Sequence, residues 1–247
     1  MKAVIVGAKG QLGRGLQATA PAGAVLSCVD VDELDITQAD AVQAYLAQEK
    51  PDLLLNAAAY TAVDKAEQDE ALALAINGTA VGTLADAARA VGARFVHVST
   101  DFVFDGLAGV PYAPDAPTAP LSAYGRTKLI GEQLAGPDAL IVRTAWVYAP
   151  TGGNFVRTML RLMAERPEVR VVADQIGTPT YAPGLAAALW TMAGAGVTGL
   201  HHYTDAGAAS WYDFAVAIQE EALAIGLLTQ KATVIPIPTS AYPTPAT

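Results

Sequence analysis

Along the first 145 positions, apolar residues come in short unbroken runs separated by longer segments with helical spacing. Ala3–Val6, Val25–Val29, Leu53–Leu55, Phe95–Ser99 and Ala139–Arg143 read as strands. Their apolar positions are continuous and do not alternate, as expected of strands covered on both faces. Between them, Gln11 to about Ala20 has a helical pattern stopped by Pro21 and Gly23. Thr37 and Asp40 have capping-box spacing for a helix through Gln48, with Val42, Tyr45 and Leu46 on its inner face. Asp64–Asn77 and Val81–Val91 read as two further helices. Strands alternating with helices in this way predict an α/β fold, a doubly wound parallel sheet.

Beyond residue 144 the pattern loosens. Asn154 is placed to cap a helix to about Glu165, Val169–Val172 is strand-like, and Pro183–Ala193 is helical. Ser210 and Asp213 have capping spacing for a helix through Ala224, with Trp211, Phe214 and Ile218 near one face. The expected organisation is a sheet domain over residues 1–144, with strands around 169–182 and 232–238 returning to it. Residues 145–247 then form mostly a smaller, interleaved substrate lobe.

Composition narrows the classes. Of 247 residues 52% are hydrophobic and 16% charged, which excludes a disordered chain. A net charge of −9 without any run of Lys or Arg gives no footprint for nucleic acid. The apolar stretch Leu185–Leu200 falls short of the ~18 residues a membrane span needs, so no membrane association is expected. A single cysteine, Cys28, suits a reducing compartment and a cytoplasmic location; within its apolar run it is expected to be a buried small hydrophobe. His97 reads as a satisfied core histidine. His201 and His202 are adjacent on a strand and face opposite ways, so no metal site is expected.

Candidate chemistry lies at the strand ends. Gly7-Ala8-Lys9-Gly10-Gln11-Leu12-Gly13 occupies the first strand-to-helix turn, a G-x-x-G-x-x-G variant of the dinucleotide fingerprint. There glycines let backbone N–H groups approach a pyrophosphate at a helix N-terminus. Asp30 ends the next strand, where a carboxylate suits an adenosine ribose and disfavours a 2′-phosphate. NADH is therefore an expected cofactor, with NADPH left open. Asn56-Ala57-Ala58-Ala59 would admit a flat ring against the backbone, or simply a tight helix contact. Thr61 and Asp64 fit either a ligand role or a helix cap. Thr100 is placed to hydrogen-bond a carbonyl oxygen. Tyr124 and Lys128, four apart, project from one helix face; by spacing alone they fit a solvated pair on a surface helix, or an ammonium beside a phenol that would favour the phenolate and support proton transfer.

Taken together these residues resemble the extended short-chain dehydrogenase/reductases and, more narrowly, the dTDP-4-dehydrorhamnose reductases. The matching pieces are Gly7–Gly13, Asn56–Glu67, Ser99–Phe104, Pro120–Lys128, Arg143–Tyr148, Asn154-Phe155 with Thr158–Leu162, Asp174–Thr180 and Ser240–Ala246. They run in family order over nearly the whole chain. The resemblance implies a Rossmann-like fold and a catalytic set of Thr100, Tyr124 and Lys128. It places NADPH or NADH on Gly10, Gln11, Leu12, Asp30, Asp35, Ile36, Ala59, Tyr60 and Thr61, with Tyr124 and Lys128 also touching it. Thr100, Asp101 and Trp146 would face a nucleotide-sugar. The implied reaction reduces the C4 ketone of dTDP-4-dehydro-6-deoxy-L-mannose to dTDP-L-rhamnose, with no metal. Dehydratases of the superfamily typically carry an acidic pair after the Thr; here Phe102 follows Asp101, which argues for simple ketone reduction. Two alternatives stay open: another nucleotide-sugar reductase or epimerase, and a non-catalytic regulatory subunit of the methionine adenosyltransferase β type. The family pattern continues past the position of Thr247 with an Arg-Pro turn and a closing helix; whether that tail was removed or is lacking stays open, as do an exposed core face and an incomplete sugar pocket. The acidic residues through which some relatives bind magnesium at a dimer contact are not identifiable in this sequence, since the family's acidic position falls in Tyr181–Gly184, which leaves a homodimer open.

Overall fold

The computed structural model describes residues 1–246 and separates into two compact units. The first comprises residues 1–144, 183–203 and 245–246. It contains β1 (Lys2–Val6), β2 (Val25–Val29), β3 (Leu53–Asn56), β4 (Arg94–Thr100) and β5 (Leu140–Thr144). With Gly199–His202 they form a six-stranded sheet in the order Gly199–His202, β5, β4, β3, β1, β2, every pairing parallel. Because all strands point one way, their carboxyl ends share one edge. The sheet order reverses direction after β1, so that edge opens there for ligands.

Helices α1 (Gln11–Ala18) and α2 (Ala39–Glu49) follow β1 and β2. The Thr37 cap expected for α2 does not form. Thr37 Oγ1 instead donates to the Asp35 carboxylate at 2.7 Å, and Gln38 is the cap residue. After α3 (Val63–Ala66), the two helices expected to be separate run on as one, from Glu70 to Ala90. Within it α4 (Glu70–Leu74) and α5 (Ala80–Ala90) flank a π-helical turn, Ala75–Thr79. This 21-residue run is long and apolar enough to cross a membrane, but half of it is buried in the unit. Val81, Leu84, Ala85 and Ala88 pack there against Val4, Val6, Leu54, Val42 and Leu46. Helix α6 (Ala123–Ala135) precedes β5.

The second unit comprises residues 145–182 and 204–244. The strands Glu168–Val172 and Thr233–Ile237 pair with each other in a separate two-stranded sheet. They do not return to the central sheet as expected; Gly199–His202 is the returning strand. Short β-branched strands carry no mark of which sheet accepts them, since pairing depends on which edge is near. The helix caps were legible: Asn154 Oδ1 accepts the Arg157 N–H ahead of Phe155–Glu165, and Ser210 with Asp213 forms a full capping box ahead of Trp211–Ala224.

Candidate active site

The glycine turn follows β1 directly. Gly7 adopts φ +74, and a Cβ there would collide with the backbone of Ala57 and Ala58. A Cβ on Gly13 would strike the Gly7 carbonyl, so the two glycines let α1 start against the strand ends. The helix opens on Gly10 with no side-chain cap, the arrangement in which first-turn N–H groups serve a phosphate. Asp30 lies at the mouth of a cleft of about 300 Å³ that Ala8, Lys9, Arg14, Gln17, Cys28 and Glu33 also line. Its carboxylate accepts the Lys9 and Val31 N–H groups at 2.8 and 2.9 Å, which holds it toward the turn. Cys28 is exposed here, against expectation. β2 is an edge strand with β1 as its one partner, so part of its apolar run faces the cleft.

Asp35 and Ile36 have internal roles. The Asp35 carboxylate accepts the Thr37 hydroxyl and N–H, which holds its pKa below the usual range, and Ile36 is in the core. The Ala59–Thr61 segment is held from behind. Asn77, buried in the π-helical turn, accepts the Tyr60 N–H at 2.8 Å and donates to the Tyr60 carbonyl at 3.1 Å. Its amide also reaches Thr127 Oγ1 at 3.4 Å, and that hydroxyl donates to the Tyr124 carbonyl. A wider turn of helix thus joins the segment after β3 to α6; such turns concentrate at functional sites. Sequence reasoning passed over Asn77. The visible signal was a polar Asn-Gly pair inside an otherwise apolar helix, where asparagine is a poor choice unless its amide is used. Thr61 and Asp64 do not cap α3, whose cap residue is Ala62. Asn77→Ala is expected to lower stability by about 1–3 kcal/mol in urea unfolding, since two hydrogen bonds to one backbone unit are lost.

Tyr124 lies in the first turn of α6, set by Ser122, whose hydroxyl accepts the Gly125 N–H, and by Glu67, which accepts the Ala123 N–H at 2.7 Å. Gly125 lets that turn press against the Phe102 carbonyl, bringing Tyr124 to the end of β4. There the phenol is buried near the Thr100 hydroxyl, and its ring meets Phe102 edge-on at 5.5 Å. Thr100 Oγ1 also bonds the Asp101 carboxyl at 3.0 Å and accepts the Phe102 N–H. Burial pushes the Tyr124 phenol up to about 12 against the pull of the nearby Thr100 hydroxyl, with the Asp101 charge adding to the rise. Burial likewise raises the Asp101 carboxyl.

Lys128 donates to the Val98 carbonyl at 2.6 Å and lies 3.3 Å from His97 Nε2, and burial brings its ammonium down to about 8. Tyr124 at neutral pH is a protonated phenol. Below Lys128, Glu132 and Arg143 form a buried bidentate ion pair at 2.8 and 2.7 Å, another feature the sequence reading did not single out.

Thr100, Asp101, Tyr124 and Lys128 are thus brought together at one end of β4, on the same sheet edge as the glycine turn. Trp146 belongs to the second unit. It holds φ +49, stacks on Trp211 at 3.5 Å and lies over Gly177, where any side chain would collide with its ring. Among the described residues no cluster of His, Cys, Asp and Glu suits a metal ion.

A family model described as the RmlD substrate binding domain matches residues 1–247. The chain is 47% identical to a dTDP-4-dehydrorhamnose reductase of Burkholderia thailandensis, over 100% of this chain and 87% of that protein. It is also 47% identical, over 87% of this chain and 75% of that protein, to a Streptomyces antibioticus protein named probable dTDP-4,6-dihydroxy-2-methyloxan-3-one 4-ketoreductase. The crystal structure of a Bacillus anthracis dTDP-4-dehydrorhamnose reductase in complex with NADP has a TM-score of 0.95 at 37% identity, covering 100% of this chain and 87% of that one.

Proposed function

The chain belongs to the RmlD substrate binding domain family, and on that premise we propose that it is an NAD(P)H-dependent reductase of a nucleotide-sugar ketone. The substrate is dTDP-4-dehydro-6-deoxy-L-mannose, reduced at C4 to dTDP-L-rhamnose. The observation that carries the reading is that Tyr124, Thr100 and Lys128 converge at the carboxyl end of β4, on the sheet edge that holds the glycine turn. The cofactor, when bound, supplies the hydride. Gly7, Gly10 and Gly13 give its pyrophosphate a turn without side chains, Gln11 and Leu12 lie at the α1 N-terminus, and Asp30 takes the ribose. Asn77 holds the Ala59–Thr61 segment rigid, and Lys128 lies one turn of α6 from Tyr124.

The residues then act in order. Thr100 and Tyr124 hold the ketone oxygen between two hydroxyls, which polarises the carbonyl and fixes its position. As carbon gains a hydride, the oxygen takes the Tyr124 proton, leaving the phenolate to recover one from solvent. A phenol near 12 starts in the donor form across the physiological range, as a reductase needs. Following NADH or NADPH oxidation with this sugar tests the reading; cofactor binding without turnover would favour a regulatory subunit. The Streptomyces relative's name points to a second keto-sugar, so the same assay with that substrate separates the two reductase readings. A cytoplasmic site of action belongs to the proposal and fits a chain whose one cysteine is unpaired.

Cofactor choice has its own test. Asp30 beside the ribose opposes a 2′-phosphate, while Arg14 in the same cleft offers a guanidinium to one. Asp30→Ser is expected to raise the NADPH/NADH ratio of kcat/KM by about tenfold, the effect of removing one partly screened charge worth about 1.4 kcal/mol. Arg14→Ala is expected to lower it.

A further inference from the structure

Apart from Lys50, Trp146 is the one non-glycine residue described with a positive φ. A bulky side chain keeps that conformation only where its surroundings over-determine it. Three contacts inside the second unit do so. Trp211 lies flat on one face of the Trp146 indole, ring centres 3.5 Å apart and planes 12° from parallel. On the other face is the Gly177 backbone. A Cβ added there would fall 2.5 Å from Trp146 Cε2, 2.6 Å from Cζ2 and 2.9 Å from Nε1. Three such similar distances fit a point above the ring and not one beside its edge. Gly177 cannot share the Trp211 side, because Trp211 atoms would then be the nearer neighbours. The Thr180 N–H completes the frame by donating to the Trp146 carbonyl at 3.2 Å.

The two covers belong to one construction. Ile176–Gly177 pairs antiparallel with Ala209–Ser210, and the capping box of Ser210 and Asp213 starts the next helix at Trp211. Gly177 and Trp211 are therefore carried by adjoining backbone. Trp211 is itself fixed: its Nε1–H donates to Gln175 Oε1 at 3.2 Å, and its ring leans on Phe155 at 4.6 Å. With both faces taken, Trp146 has only its edge to offer a ligand. The residue is half-buried, and its Nε1–H has no partner among the described residues.

We propose that Trp211 is a positioning residue for Trp146: with Gly177 it clamps the indole so that the N–H edge, and not a face, meets an oxygen of the nucleotide-sugar. The ligand in this proposal rests on the reductase reading; the clamp does not. An indole free to turn would present its donor in several directions, and the ligand would have to order it on binding. The clamp removes that cost beforehand and fixes which oxygen the donor reaches.

The first measurement needs no sugar. Stacked indoles couple as an exciton pair, so the circular dichroism of the intact protein, which has three tryptophans, should carry a couplet. It should vanish in Trp211→Leu and in Trp146→Phe alike and survive in Trp190→Phe. A wild type without the couplet, or a couplet that outlasts Trp211→Leu, would overturn the clamp. The second measurement is calorimetric binding of dTDP-L-rhamnose, the product of the proposed reaction. Its Kd should weaken about threefold to tenfold in Trp211→Leu, the range expected of one aromatic pair, with NADH binding unmoved. Trp211→Phe keeps a flat face and should recover most of that loss. Added to Trp146→Phe, Trp211→Leu should cost nothing further, since its effect passes through Trp146. A folded Trp211→Leu that binds like the wild type, or losses that simply add, would overturn the proposal and leave Trp211 a packing residue. A wild type with the couplet but no affinity for dTDP-L-rhamnose would uphold the clamp and overturn the reductase reading, and the sugar contact with it.

Discussion

Tyr124→Phe is expected to reduce kcat for the keto-sugar by about 10²–10⁴-fold, the usual range for removing a positioned proton donor. That range is about 3–5 kcal/mol of barrier. The substitution deletes one hydroxyl and keeps the ring, so the edge-on contact with Phe102 and the first turn of α6 stay in place. NADH affinity should change far less than kcat, because the glycine turn and Asp30 are untouched. Stopped-flow reduction under single turnover separates the two. A phenylalanine variant reducing the sugar at the wild-type rate would assign the proton to another group. The nearest candidate is Asp101, whose carboxyl is raised by burial and bonded to the same Thr100.

The second large effect is on stability. Glu132→Ala should destabilise the protein by about 3–5 kcal/mol in urea unfolding, since it strands a buried guanidinium. Arg143 is 4% exposed, donates from two nitrogens to Glu132 and from a third to the Pro114 carbonyl, and lies 4.9 Å over the Phe104 ring. It thereby ties α6 and β5 to the segment that follows Thr100. Replacing both charges, Glu132→Leu with Arg143→Met, should recover most of the loss, because the main cost is an unpaired buried charge and not a missing attraction. If the double variant is as unstable as the single one, the bond to Pro114 and the Phe104 contact hold this region instead.

Local signals were readable from the chain because they depend on neighbours a few residues away. The caps at Asn154 and Ser210 needed only a polar side chain three residues ahead of an N–H. The glycine turn was recognisable because steric exclusion at Gly7 and Gly13 is a property of residue type at fixed spacing. Misreadings arose where another acceptor took the same side chain, or where the order of strands in the sheet set exposure. Thr37 was spaced to cap α2, but the Asp35 carboxylate two residues back took its hydroxyl. Cys28 looked like core until β2 proved to be an edge strand beside a cleft.

By itself the sequence determined the alternation of strands and helices, the turn that suits a dinucleotide, and the presence of Thr100, Tyr124 and Lys128 in family order. These are matters of residue type and spacing along one chain. Only the tertiary structure decided how the groups are charged and what each one bonds. Tyr124 and Lys128 share a helix face at any i, i+4 spacing, yet burial raises the phenol, and packing turns the Lys128 side chain toward Val98 and His97. Asn56, Asn77 and His97 come from three separate elements, β3, the π-helical turn and β4. The protonation of a buried group follows from the donors and acceptors that surround it in space, and those partners are brought together by packing.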